Sequence, residues 1–536
     1  MAKSGLDALR DRARRGDVGA QVELGARLVD APGGQSNQAG YKWLLRAARA
    51  GDLTAQVKVG ECLERGKGVA RKPGEAVRWY KAAAEAGDAL AQLRLSCCYL
   101  DGRGVRADPR TSEKWLRQAV EQDLPEALLE SGWRGLEGGS PAQGFELVRK
   151  AAAMGLPQAQ FDLGTLYALG RGARRDPGKA LTWTVRAAEQ GHVEAQYEAG
   201  RAYDMGRGVR ADDAEAVLWY RKAAAQGHAG AEYQLGYDYW EGDGVSADRR
   251  KALELIRKAA DKGSPDAHVF LGTCYFHGEQ VAADPKRACH HFRRAAARGD
   301  AFGQFNLGIC YRDGVGVRAE QRRAFFWFKK AAAQGDLDAQ LCMAEACYHG
   351  QGVRRDLKQA HGWYARAARQ GDTEAEYNLG WMWLHGEGCT RNPSRGIRWL
   401  AKAAADEHLG ALAALVMVYA EGEGVEVDEA RAFRYLLRAA RLGDPESQYR
   451  AGRCFAKGMW TRRSARQAAY WYKQAAEKGH AKARRRLGDC LARGAGVSKN
   501  PALAAECYQQ AAEAGDPEAG KRLAALLESE RAEAGA

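Results

Sequence analysis

Apolar side chains recur along this chain at helical spacing in two short blocks, and the pair of blocks returns every 36 residues. The stretch from Gly299 to Gln334 shows the pattern. Phe305, Leu307, Ile309 and Tyr311 mark a first block, and Phe325, Trp327, Phe328, Ala331 and Ala332 a second. Residues three or four apart share a helix face, so the blocks predict two amphipathic helices, A and B. Between them Gly314-Val315-Gly316-Val317 predicts a loop, and Gly335 ends helix B.

The glycine that opens each copy stands at 51, 87, 155, 191, 227, 263, 299, 335, 371, 443, 479 and 515. From Gly155 to Gly515 the register never slips over 360 residues, ten periods of 36, with Glu407 once in the glycine's place. A fixed period in this range signals a solenoid of stacked helix pairs rather than separate globular domains. Helix B opens on Asp108-Pro109, Asp176-Pro177, Asp284-Pro285, Asn392-Pro393 or Asn500-Pro501. The Asp or Asn side chain caps free N–H groups, and proline at the first helical position has none to lose.

Fourteen units are expected within an array at 16–514, between an N-terminal capping segment (1–15) and a C-terminal capping helix and tail (515–536). The unit at 123–154 is irregular: it is four residues short, and Gly138-Gly139-Ser140-Pro141 replaces the usual loop, which predicts a bend or break there. The segment Lys457-Gly458-Met459-Trp460 is a second departure from the loop pattern.

Two slots recur strongly. Tryptophan holds one helix B position nine times (Trp43, Trp79, Trp115, Trp183, Trp219, Trp327, Trp363, Trp399 and Trp471), which predicts core between neighbouring repeats. Glycine recurs inside helix A at Gly164, Gly200, Gly236, Gly272, Gly308 and Gly380. Each costs about 1 kcal/mol of helix propensity, so close helix contact is expected to offset it.

The pattern Ala-x-x-x-Leu-Gly-x-x-Tyr, Gly-x-Gly-Val, Lys-Ala-x-x-Trp-Tyr-x-Lys-Ala-Ala resembles the Sel1-like repeat, a relative of the tetratricopeptide repeat. Ala231 to Tyr239 with Gly242-Asp243-Gly244-Val245, and Trp79-Tyr80-Lys81-Ala82-Ala83, carry the resemblance. It implies an all-α fold, a right-handed superhelix of antiparallel helix pairs, and a role as an adaptor or scaffold. It also implies that helix A lines the concave side.

Composition adds limits. Lys plus Arg is 82 against 68 Asp plus Glu, a net charge of +14. This permits an anionic partner without requiring one. Six of the 12 cysteines (Cys62, Cys98, Cys274, Cys310, Cys454 and Cys490) share one repeat slot, as small hydrophobes do, and no pairing recurs. That pattern, with no apolar leader in the first residues, predicts a cytoplasmic protein without a membrane span.

The chemistry-bearing motifs dissolve into the repeat. The Gly-x-Gly loops lie between helices, whereas a dinucleotide fingerprint follows a strand. No nucleophile elbow, P-loop or His-Glu-x-x-His is present, so neither catalysis, metal nor cofactor is expected. A hydrolase like the cysteine-rich relatives would need their regular cysteine pairing and a Ser-x-x-Lys element, both missing here. His192, His228, His408 and His480 hold the slot that opens helix A and are expected to serve as caps. His277, His349 and His385 share another slot, on separate helices, too dispersed for a zinc site.

What does not repeat is the helix A stripe at positions +3, +7, +10 and +14, counted from each opening glycine. Its middle carries Tyr237, Phe270, His277, Phe302, Asn306, His349, Asn378, Trp381 and His385. Its end carries Arg450, Arg453, Lys457, Arg486 and Arg493. Aromatics of this kind make binding hot spots, amides clamp peptide backbone, and arginines suit carboxylates or phosphates. The expected partner is a protein or peptide segment, part of it acidic. Nucleic acid is the weaker alternative: position +7 mixes Lys58, Arg94, Glu130, Asp162 and Glu198, with no base-reading code.

Overall fold

The computed structural model describes residues 5–31 and 33–534; residues 1–4 of the expected N-terminal cap and 535–536 of the tail lie outside the described residues. The described residues form thirty helices and no strand. Two compact units divide the chain, Met1–Ser264 and Pro265–Ala536. Within each, every helix A packs on its own helix B and on the helix B before it.

The Gly299 repeat shows how sequence sets the pair. Its helices are Ala301–Asp313 and Gln321–Ala333. Asp300 Oδ1 accepts from Gly303 N at 2.6 Å, capping helix A. Glu320 N donates to the Tyr311 carbonyl at 2.7 Å and folds the loop back onto helix A. The loop's second glycine, Gly316, has φ +68°, and a Cβ there would stand 2.0 Å from the Pro285 carbonyl oxygen of the preceding repeat. Backbone geometry and space both demand glycine. Trp460 nonetheless holds this slot with φ +62°, its ring half-buried beside Phe433, Leu436 and Trp471. That packing accompanies the departure noted at Lys457–Trp460.

Glycine inside helix A is the seat of a buried helix B side chain: Thr184 at Gly164, Ile256 at Gly236, Leu400 at Gly380, and a ring in other repeats. A Cβ at Gly308 would lie 2.5 Å from Cε1 of Phe328, which is 3% exposed. Gly60 meets Tyr80, Gly200 meets Tyr220, and Gly452 meets Tyr472 in the same way. The propensity lost at glycine is offset by apolar area removed from water.

The tryptophan slot differs from expectation. Only Trp219 and Trp471 are buried; the other seven are half-buried. The following residue fills the core instead. Tryptophan lies on the helix flank, where the residue three positions on stacks a cation over it, as Lys222 does over Trp219 at 3.6 Å and Arg366 over Trp363 at 4.4 Å.

Successive pairs are also joined by polar contacts. Gln340, 4% exposed, donates to the Ala332 carbonyl at 3.4 Å and accepts from Gln370 Nε2 at 3.0 Å. Gln370 Nε2 also donates to the Gly335 carbonyl at 3.1 Å. The same rivet joins Gln304 to Gln334 and Gln196 to Gln226. It satisfies buried amide groups that would otherwise be costly.

In the unit at 123–154, Asp123 takes the opening glycine's place with φ +56°. Helix Pro109–Glu121 and helix Pro125–Glu137 meet more sparsely than any other successive pairs of the first compact unit. The chain's division into compact units falls elsewhere, between Ser264 and Pro265.

Candidate binding surface

The helix A stripes of successive repeats touch. Arg94 pairs with Glu61 at 2.8 Å, Trp133 Nε1 donates to Asp162 at 2.7 Å, and Arg522 stands 3.8 Å from Asp489. Each contact joins position +10 of one repeat to position +7 of the next. Within each compact unit the stripe is thus a continuous face. All fourteen residues singled out from sequence lie on it, half-buried or exposed.

In Met1–Ser264 the stripe mixes charges of both signs, and several of them pair with one another. Beside the Arg94–Glu61 pair, Arg134 binds Glu130 and Arg201 binds Glu198, both at 2.8 Å. Tyr237, 36% exposed, stacks obliquely near Tyr233 at 6.5 Å. Burial pushes its hydroxyl pKa upward.

In Pro265–Ala536 the stripe is aromatic, then basic. Phe302 is 48% exposed and Met417, which the sequence reading passed over, is 47% exposed. Phe270 is half-buried, and His277 is exposed beside Phe276. His349 is exposed and lies edge-on to Tyr348. Trp381 rests one side on the apolar cluster around Leu384 and Leu415, with the His385 ring 4.1 Å away. His385 Nδ1 donates to the Trp381 carbonyl at 3.0 Å, which fixes that ring.

The asparagines are less free than the sequence suggests. Asn306 Nδ2 donates to the Phe302 carbonyl at 2.9 Å, and Asn378 Nδ2 to the Glu374 carbonyl at 2.9 Å. Both amides bond back to their own helix, leaving the side-chain oxygen as the group offered outward.

The arginines separate into two kinds. Arg486 binds Asp489 at 3.2 Å, and Asp489 also accepts from Tyr508 OH at 2.9 Å. Arg486 and Asp489 stand three apart on one helix, a spacing that brings opposite charges together. Arg450, Arg453, Lys457 and Arg493 have no carboxylate partner among the described residues. Arg453 lies 5.9 Å over the Tyr449 ring.

The cap histidines behave as expected. Nδ1 of His228 accepts from Ala231 N at 3.1 Å while its Nε2 faces Glu194 of the preceding repeat at 3.2 Å. His408 and Glu374, and His480 and Glu446, repeat the arrangement. Among the described residues no group of three or more His, Cys, Asp and Glu side chains is placed to hold a metal ion. Among the described residues no helix is long and apolar enough to cross a membrane.

Sequence reasoning missed one cavity, of about 460 Å³, lined by residues between His361 and Lys402. Its signal lay in departures at repeat slots. Trp383 stands where other repeats carry Tyr239, Tyr311 or Tyr419, and Ala365 where they carry Arg221 or Lys329.

Helix pairs repeated at a fixed period through both compact units define a helical-repeat protein. The chain belongs to the Sel1 repeat family: the family model matches fourteen times, over residues 19–124 and 127–516. It is similar to c5321, a protective antigen of uropathogenic Escherichia coli displaying an SLR fold, at 32% identity, over 84% of this chain and 97% of that one, with TM-score 0.60. It is also similar to a Sel1 repeat protein from Oxalobacter formigenes, at 30% identity over 64% of this chain and 90% of that one, with TM-score 0.37. No curated protein matches in sequence. Sel1 repeat proteins are generally protein-interaction scaffolds.

Proposed function

We propose that this chain is a non-catalytic adaptor that holds a protein segment along the helix A face. The observation that carries the reading is the clustering on one stripe of Arg450, Arg453, Lys457 and Arg493, four cations without a carboxylate partner among the described residues. Cations left without partners on a protein surface attract an anionic one and steer its approach. Toward Phe302 and Trp381 the same face offers apolar area of the kind that anchors an interface. The segment therefore has an acidic part against Arg450, Arg453 and Lys457, and an apolar part toward Trp381.

The test is comparative capture from the native cell with wild type and an Arg450→Glu/Arg453→Glu/Lys457→Glu variant. The account predicts that specific proteins bound by wild type are lost by the variant while its melting temperature is unchanged. Identical captured sets would overturn it.

A further inference from the structure

A second site lies on the helix B side, among Leu357–Arg369, Thr373–His385 and Pro393–Ala405. Here the array opens a cavity of about 460 Å³, within the range of about 300–1,000 Å³ typical of small-molecule sites. Its apolar walls are Leu379 and the planar indoles of Trp383 and Trp399. His361 meets the Trp383 ring edge-on at 4.8 Å. Its Nε2 is buried without a hydrogen-bond partner.

The rest of the lining is cationic. Arg395 lies 4.9 Å over Trp383, and Lys402 lies 5.4 Å over Trp399. Lys402 is neutralised by the fully buried Glu376 carboxylate. Arg369, Arg395 and Arg398 have no carboxylate partner among the described residues, and no acidic side chain lines the cavity. Sibling repeats do not gather these features. Position 369 is glutamate in several of them (Glu85, Glu189, Glu477), and position 361 is usually apolar (Val217, Phe325, Phe433).

We propose that this cavity binds a phosphomonoester carried on a planar ring, the chemistry of a nucleoside monophosphate. Three exposed guanidiniums without a carboxylate partner line one side of the cavity and can together hold more than one negative charge. A phosphomonoester supplies roughly −1.5 to −2 at neutral pH and three acceptor oxygens, whereas a carboxylate supplies one charge and a single fork. Arginine's planar fork matches phosphate oxygens, and the indole walls take the ring. Burial holds the pKa of the His361 imidazole down, which keeps this part of the lining neutral. The site is independent of the helix A face.

Calorimetry and indole fluorescence on the full chain test it, with AMP, adenosine and inorganic phosphate as separate probes. AMP is expected to bind saturably, with adenosine and inorganic phosphate each at least about tenfold weaker. An Arg369→Gln/Arg398→Gln variant with unchanged melting temperature should lose at least about tenfold in AMP affinity, while Arg450→Glu should bind AMP as wild type does. Absence of saturable AMP binding, equal affinity of the double variant, or inorganic phosphate binding as tightly as AMP would each overturn the proposal.

Discussion

The pairing of Gly308 with Phe328 shows how single residues set the spacing of this array. In the Glu407 repeat a bulkier seat goes with a smaller buried partner: Val416 stands in the glycine slot, in one cluster with Leu436. Gly308→Val should therefore destabilise Pro265–Ala536 by about 1–3 kcal/mol, as overpacking does, and adding Phe328→Leu should recover part of the loss. Denaturant titration of the two variants reads both effects. Asp238 is the residue where pH should matter. Burial, with Asp204 and Asp243 nearby, lifts its carboxyl to about 7, and its Oδ2 has no hydrogen-bond partner. Its folded pKa thus exceeds the unfolded value near 3.8. The folded state binds the proton more tightly, so this contribution favours folding at low pH and is lost as pH rises from about 4 to 7. Asp238→Asn should raise the melting temperature of Met1–Ser264 at pH 8 and leave it nearly unchanged at pH 4. Local reading of the sequence succeeded at residues governed by backbone geometry, such as the cap histidines and the loop glycines. It misplaced tryptophan because a regular slot records a repeated environment, and a helix flank under a cation repeats as faithfully as a core.

Between elements, the glutamine rivet explains which slots change together. Gln340 and Gln370 are present as a pair, and in the Glu407 repeat both positions are leucine, Leu412 and Leu442. A buried amide needs its partner, and an apolar pair needs none. Gln56 lacks that partner: its Oε1 is buried and unbonded, and Ala86 stands where the second glutamine would be. Ala86→Gln should supply the missing donor and stabilise Met1–Ser264 by about 0.5–1.5 kcal/mol. Chemical denaturation of the variant checks it, and Gln56→Leu in the same chain should abolish the gain. The helix pairs, their caps and the short unit at 123–154 were legible because period and punctuation are local signals. The rivets were not, since their partners lie some thirty residues apart and both resemble surface polar residues.

Across the molecule, the variable face and the helix B cavity share one origin. Repetition fixes the structural slots, so side chains that depart from the slot pattern are released for contact. The sequence identified the helix A face by this logic, but did not show that Asn306 and Asn378 bond to their own helices; the Arg486–Asp489 pair, three residues apart on one helix, was legible and was passed over. It passed over the cavity because three helices build it, and only packing places His361, Trp383 and Arg398 around one space. If the unpaired cations recruit the partner, its association rate should fall with added salt in wild type and much less in the Arg450→Glu/Arg453→Glu/Lys457→Glu variant, as stopped-flow mixing would show. The most direct test of the central claim is hydroxyl-radical footprinting of the chain with and without its captured partner. Phe302, Trp381 and Met417 on helix A should be protected, while Phe326 and Tyr470, exposed at 50% and 52% on helix B, should react as in the free chain. Protection of Phe326 and Tyr470 with Phe302, Trp381 and Met417 unprotected would contradict the account.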